Sequence, residues 1–220
     1  MPLSVVIPAL NAAATLPRCI AALGGLPGEV VVVDGGSTDG TPDLAARLGA
    51  LVVNAPRGRG RQIAAGVAAA RGEWLLLLHA DTVLAPGWAA EAWRFMAGTT
   101  ARAGYFRFAL DAAEPQARRL ERMVAWRCRT LGLPYGDQGL LVPRVLLGAV
   151  GGVRDLPLME DVDLARRLGR RRLVALPAAA VTSAERWRRD GWTRRSARNL
   201  GCLSLYFLGV PPRVIAKVYG

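Results

Sequence analysis

Four short apolar runs, each closed by a polar or glycine-bearing turn and each separated from the next by a stretch of helical periodicity, decide what this chain can become. They lie at residues 4–8, 29–33, 50–54 and 73–78. Runs of this length rich in Val, Ile and Leu read as buried strands. Between them, residues 12–23 carry Leu16, Cys19, Ile20 and Leu23 at helical spacing. Pro42 suits the first turn of a helix through Leu48. Residues 62–70 form an alanine-rich helix ended by Gly72, and residues 86–96 another helix. The order strand–helix–strand, repeated, implies a mostly parallel sheet with helices on both faces. Parallel strands covered on both sides read as uninterrupted apolar runs, as 30–33 and 75–78 do, so 73–78 is expected at the sheet centre.

The second half is less regular. Strands are expected at 104–110, 139–142 and 172–176, and helices at 115–131, from 161 to 168, and at 190–208. The last has a basic start and an apolar end. Segments 132–136 and 151–157 read as loops. With 220 residues, 52% of them hydrophobic, and no repeat or linker, residues 1–220 are expected to form a single domain with a full core and little disorder.

Charge bears on partners. The chain has 29 Lys and Arg against 17 Asp and Glu, a formal +12, and Lys217 is its sole lysine. Arginine favours phosphate and carboxylate through its planar fork, although codon bias would also produce this composition. Cys19, Cys128 and Cys202 are far apart and odd in number, which suits a reducing, cytoplasmic setting. The opening residues read as a first strand, not a signal peptide. No apolar run reaches the ~20 residues of a membrane helix.

In open α/β sheets, ligands bind beyond the carboxyl ends of the strands. Polar residues there are Asn11, Asp34 and His79-Ala80-Asp81. A carboxylate at 34, followed by Gly35 and Gly36, can accept hydrogen bonds from ring N–H or ribose hydroxyl groups; a turn or cap role fits it too. His79 and Asp81, at i and i+2 of an extended segment, would share one side and converge on a divalent cation. The alternative is that Asp81 caps a helix and His79, the only histidine, packs in the core. Glu160-Asp161 opens a helix, where negative charge is favoured as a cap, or offers a general base. The run Arg57-Gly58-Arg59-Gly60-Arg61 can hold phosphates with Arg57 and Arg61, or be a solvated basic loop.

Taken in order, these pieces resemble one family. Ser4-Val5-Val6-Ile7-Pro8-Ala9-Leu10-Asn11, then Val31-Val32-Val33-Asp34-Gly35-Gly36-Ser37-Thr38-Asp39-Gly40-Thr41, then His79-Ala80-Asp81 and Met159-Glu160-Asp161, are similar to family 2 glycosyltransferases of the GT-A fold. The resemblance spans roughly residues 3–176. It implies an α/β, Rossmann-like central sheet, mostly parallel and flanked by helices, with a C-terminal helical extension. Residues 1–98 would be a nucleotide-binding half, 99–185 an acceptor and catalytic half, and 186–220 the extension. It implies a nucleotide diphosphate sugar donor of UDP or GDP type and inversion at the anomeric carbon. Asp34 would contact the donor base, with Pro8, Ala9, Asn11 and Ala80 beside it and Arg57 and Arg61 on the diphosphate. Asp81, with His79, would ligate Mn²⁺ or Mg²⁺. Asp161, next to Glu160, stands at the base position, and Gly136, Asp137 and Gln138 on the acceptor side. His79 replaces the first Asp of the family's metal motif, which lowers the charge offered to a cation. The set with His-Ala-Asp-Thr, Gly136-Asp137-Gln138-Gly139 and Glu160-Asp161 also resembles a small bacterial subgroup.

Near the C-terminus, Arg186-Trp187-Arg188-Arg189, Trp192, Arg194 and Arg195 precede Leu203, Leu205, Tyr206 and Phe207. Such a segment can rest peripherally on the anionic inner face of a membrane, which suits a lipid-linked acceptor. It can equally be a packed helix or a homodimer contact. The rival readings of the whole chain are a sugar nucleotidyltransferase, a non-catalytic nucleotide-sugar binder and, from charge alone, a nucleic-acid-binding module. No zinc finger, recognition helix or aromatic RNA platform is evident, so no nucleic-acid partner is expected.

Overall fold

A computed structural model describes residues 2–98 and 101–219. The half boundary expected at residue 99 and the chain ends at 1 and 220 lie outside the described residues. Strands β1 (Leu3–Ala9), β2 (Glu29–Asp34), β3 (Leu51–Asn54) and β4 (Trp74–Leu77) pair in parallel in the order β3-β2-β1-β4. Helices α1 (Leu16–Leu23), α2 (Thr41–Arg47) and α3 (Arg59–Ala69) make the crossovers. Strands β5 (Thr82–Leu84), β6 (Ala103–Leu110), β7 (Leu140–Pro143) and β8 (Leu173–Thr182) continue the sheet as β7-β6-β8-β5, giving eight strands. β7 runs against β4 with Leu140 opposite Leu77, so the start of β7 lies beside the end of β4. β6 runs against β7, and therefore with β4, and β8 is parallel to β6. β5 is antiparallel to β8.

Alternation along β1 sets the two layers. Val5 and Ile7 pack with Leu16, Trp88 and Met96, on the side of α1 and of α4 (Trp88–Gly98). Val6 packs with Ile63, Leu147 and Leu164, on the side of α3, α6 (Arg144–Ala149) and α7 (Glu160–Leu168). Trp74, Phe106, Leu75 and Leu76 are fully buried, each stabilising the fold by about 1.5–3 kcal/mol relative to an exposed side chain. Helix α5 (Pro115–Leu131) covers β6 through Ala117, Val124 and Cys128. Helices α8 (Glu185–Asp190), α9 (Trp192–Phe207) and α10 (Pro212–Tyr219) follow β8, and Cys202, Leu203 and Ile215 seat the last two on Val162 and Ala165 of α7.

Several boundaries differ from the expectation, each for a local reason. α1 starts at Leu16, not at 12, because the N–H groups of Ala12 and Ala13 are taken by Thr41 Oγ1 and Asp39 Oδ2. α3 starts at Arg59, not at 62, since Gln62 N–H already reaches Gly58 O. The long helix expected over 190–208 breaks at Gly191, whose φ of 82° no helix interior adopts. β8 continues past residue 176 because its register with β6 shifts between Phe106 and Arg107, leaving Pro177 outside the ladder. β5, α6 and α8 are too short for periodicity to declare, and α10 lies beyond the elements expected. No helix among the described residues is long and apolar enough to cross a membrane.

Candidate active site

β1 and β2 end together, with Pro8 opposite Val33 and Ala9 opposite Asp34. Gln62, which the sequence does not advertise, holds both ends. Its Nε2 donates to Ala9 O at 2.7 Å and to Val33 O at 2.8 Å. Asp34 is buried. Its Oδ2 accepts the Gly36 and Ser37 N–H groups, both at 2.9 Å, while Oδ1 is buried with no hydrogen-bond partner. Leaving a buried acceptor unmet costs about 1–3 kcal/mol, so a ligand donor is favoured there. Asn11 serves the loops around it. At φ 51°, its Oδ1 accepts Thr38 N–H at 2.9 Å and its own N–H donates to Ser37 Oγ at 2.8 Å. Ala80 packs in the core on the α1 side of the sheet, not in the cleft.

His79-Ala80-Asp81 forms a turn, closed by Thr82 N–H to His79 O at 3.2 Å, and not the extended segment expected. Strand alternation therefore does not bring the two side chains together. His79 is half-buried and its ring neutral: desolvation, then the Arg59 and Arg186 charges, hold it down at about 3. Its Nε2 lies 3.3 Å from Arg59 Nη1. A guanidinium only donates, so Nε2 is the accepting nitrogen and is committed to Arg59. Asp81 remains partly open, its Oδ2 in a loose pair 3.7 Å from Arg186 Nη2.

Of the three arginines in the basic run, the middle one enters the site. Arg61 Nε is held by both oxygens of Asp155 at 2.8 Å, and Arg57 is exposed. Arg59 opens α3, where the helix dipole disfavours a cation. That mismatch is the signal that could have singled it out, because such an arginine needs a carboxylate. Its Nε lies 2.9 Å from Oε1 of Glu160, which is only 2% exposed. The pair is an ion pair by distance, and neither Glu160 oxygen accepts a hydrogen bond. Burial, and next the Asp161 charge, raise the Glu160 carboxyl to about 7, against the opposing pull of Arg59.

Asp161 is fixed from two sides. Oδ2 accepts Gly136 N–H at 2.9 Å and Oδ1 accepts Val162 N–H at 2.8 Å. Met159, at φ 66°, makes the sharp entry to α7. Gly136 is required where it stands, because a Cβ there would overlap His79 Nε2. Pro8, His79, Tyr135, Gly136, Glu160 and Asp161 line one cavity. Asp137 beside them has a buried, unpartnered Oδ1. Burial raises its carboxyl to about 6, with Asp161 and Asp81 adding to the shift against Arg127 and Arg59. Gln138 is turned away from the cavity. Its Oε1 accepts Tyr135 N–H at 3.2 Å and Arg127 Nη2 at 3.3 Å, and its Nε2 donates to Phe106 O at 3.1 Å. The amide is thus spent on holding the loop, not presented to an acceptor.

For a divalent cation, the donors present are few. Among the described residues no group of three or more His, Cys, Asp or Glu side chains surrounds a common point. Asp81 at the rim is a hard oxygen donor, and the orphaned Asp137 Oδ1 in a field of carboxylates marks a local need for positive charge. This set fits a cation held by one protein carboxylate and completed by ligand oxygens, not an all-protein cage.

The profile of Glycosyl transferase family 2 matches residues 4–141. A PGL/p-HBAD biosynthesis glycosyltransferase of Mycobacterium bovis is 42% identical over 91 residues, covering 37% of this chain and 36% of that protein. The chain spans 26–36% of the length of the first curated relatives it matches. Among solved structures, S. aureus TarS 1-349 in complex with UDP is similar at TM-score 0.64 and 19% identity, covering 84% of this chain and 62% of that one. Glucosyl-3-phosphoglycerate synthase from Mycobacterium tuberculosis, in complex with Mn²⁺, UDP and glucosyl-3-phosphoglycerate, is similar at TM-score 0.56 and 22% identity, covering 83% and 70%. The fold is therefore of the GT-A type expected.

Proposed function

This chain belongs to glycosyl transferase family 2, and from that premise we propose that it moves a sugar from a nucleotide diphosphate donor to an acceptor hydroxyl with inversion at the anomeric carbon. The observation that carries this reading is one cavity lined by His79 from the end of β4, Gly136 from ahead of β7 and Asp161 from the start of α7. Residues 1–98 would bind the donor. Asp34 Oδ1 would accept a ring N–H of the base, with Pro8 and Ala9 alongside, Asn11 fixing the loop, and Arg57 and Arg61 at the approach. Asp81 would hold a cation, and a bound Mn²⁺ or Mg²⁺ supplies positive charge to the departing diphosphate.

Asp161 would take the proton from the acceptor hydroxyl, a contribution of about 10²–10⁴-fold. The Gly136 and Val162 N–H groups orient its carboxylate. Glu160 stays buried beneath, against Arg59. Gly136 and Asp137 would shape the acceptor side, with Gln138 supporting the loop. The run His79-Ala80-Asp81-Thr82 would place the chain in the small bacterial subgroup that it resembles. The buried free thiols of Cys19, Cys128 and Cys202 suit a cytoplasmic setting.

The test is Asp161→Asn with two readouts. UDP- and GDP-sugars should raise the melting temperature of variant and parent alike, while release of nucleoside diphosphate is lost in the variant. Loss of donor binding would sink the base role. Release of pyrophosphate by the parent would sink sugar transfer in favour of nucleotidyl transfer.

A further inference from the structure

Two surface helices carry side chains on the wrong side for a water-facing exterior. On α9 the outward positions from residue 197 onward are Ala197, Leu200, Gly201, Ser204, Phe207 and Leu208. Leu200 is 61% and Leu208 80% exposed. A surface helix ordinarily shows charged residues there. On α5, Met123 and Trp126 are 59% and 57% exposed, one turn apart on the same face. The two helices border one groove: Leu131 at the end of α5 and Phe207 at the end of α9 line it, together with Arg166 and Arg170. The Arg166 guanidinium lies 5.1 Å from the centre of the Phe207 ring.

The charge around this apolar strip is mainly positive, although Asp190 at the end of α8 pairs with Arg195 and Arg198. From Gly191 to the end, the sequence holds Arg194, Arg195, Arg198, Arg213 and Lys217 and no Asp or Glu. Exposed Trp, Phe and Leu flanked by arginine is the composition of surfaces that enter the headgroup region of a bilayer. We propose that the outward face of α5, the end of α7 and the outward face of α9 form a single docking surface for an anionic lipid membrane.

Charge decides among occupants. A second copy seated by two-fold symmetry would set this net-positive patch against an identical net-positive patch. A nucleic acid would use the arginines but leave Trp126, Phe207 and Leu208 in water. An anionic bilayer satisfies both the arginines and the apolar strip. Each basic residue at such a surface raises partitioning roughly fivefold. The surface stands apart from sugar transfer, and its test uses no activity.

Flotation of the full chain with vesicles of phosphatidylcholine plus phosphatidylglycerol, against phosphatidylcholine alone, reads the proposal directly. The parent should float with the anionic vesicles only. The triple variant Trp126→Glu, Phe207→Glu, Leu208→Glu should lose at least about tenfold in bound fraction with its melting temperature unchanged. Should the triple variant unfold, brominated lipid provides a second reading on the unmodified surface: quenching of parent fluorescence should exceed that of Trp126→Phe. Equal flotation of parent and folded triple variant overturns the proposal, since generic charge would then explain binding. Indifference of the parent to both vesicles overturns it as well. So does a concentration-dependent dimer abolished by the triple variant without any vesicle binding, which would hand the surface to a second copy.

Discussion

Replacing Arg59 with methionine removes a guanidinium while keeping much of the side-chain stem. Glu160, 2% exposed and 2.9 Å from Arg59 Nε, would lose that cation. At an effective dielectric of about 20 the lost attraction is at most about 6 kcal/mol, and the 37% exposure of Arg59 trims it. The carboxyl can escape the loss by taking a proton. It already sits near 7, raised from 4.5, so the escape is cheap in acid and costly in base. A carboxyl raised in the folded state contributes stability that is present below its unfolded value and lost as pH rises through the folded one. Without Arg59 the folded value rises further, and the loss extends upward in pH. The variant should therefore match the parent near pH 5 and fall behind it as pH rises above about 7, by roughly 1 kcal/mol for each further unit. Near pH 9 that is roughly 2–3 kcal/mol, a fall of about 5–10 °C in melting temperature for a chain of this size. Thermal melts of both proteins from pH 5 to 9 measure it. A deficit of the same size at pH 6 and pH 9 would refute the reasoning, because it would mean that Arg59 matters for packing and not for the charge on Glu160.

Other changes have distinct signatures. Gly136→Ala places a methyl group on His79 Nε2, so the loop must shift and Asp161 loses a donor; single-turnover transfer should fall by about 10²-fold with a small change in melting temperature. Asp34→Ala should raise the donor KM about tenfold and leave kcat nearly unchanged, as expected for a group that binds the nucleotide uniformly; titration calorimetry with the nucleoside diphosphate gives the same ratio. Gln138→Leu strips the acceptor from Tyr135 N–H and the donor from Phe106 O, which should cost about 2–4 kcal/mol in denaturant unfolding. Retention of full stability there would show that the amide faces the cavity after all.

The first four strands were legible because β1, β2 and β4 are largely buried and β3 keeps an apolar run at the sheet edge. Their apolar runs are unbroken, and β1 to β4 fall within a residue or two of expectation. α5 was legible to the residue, since Pro115 opens it and Gly132, at φ 63°, closes it. The later strands were less so. β7 and β6 are reached by reversal and skipping, and no local pattern encodes which strand lies beside which. The identity of the arginine that turns inward was also hidden, for Arg57, Arg59 and Arg61 differ only in their position relative to the start of α3. Gln138 was expected on the acceptor side from the resemblance carried by Gly136-Asp137-Gln138-Gly139, yet its amide turns toward Phe106 O and Arg127.

The reversal of β7 has a consequence for how such a chain can diversify. Donor-side residues follow strands that run one way, and the 136–139 segment precedes a strand that runs the other. The two halves of the cleft are thus written in separate stretches of sequence with separate anchors, Gln62 for one and Gln138 for the other. Substitutions between residues 132 and 139 can reshape that side of the cleft while the ends of β1 and β2, held by Gln62, are left as they were.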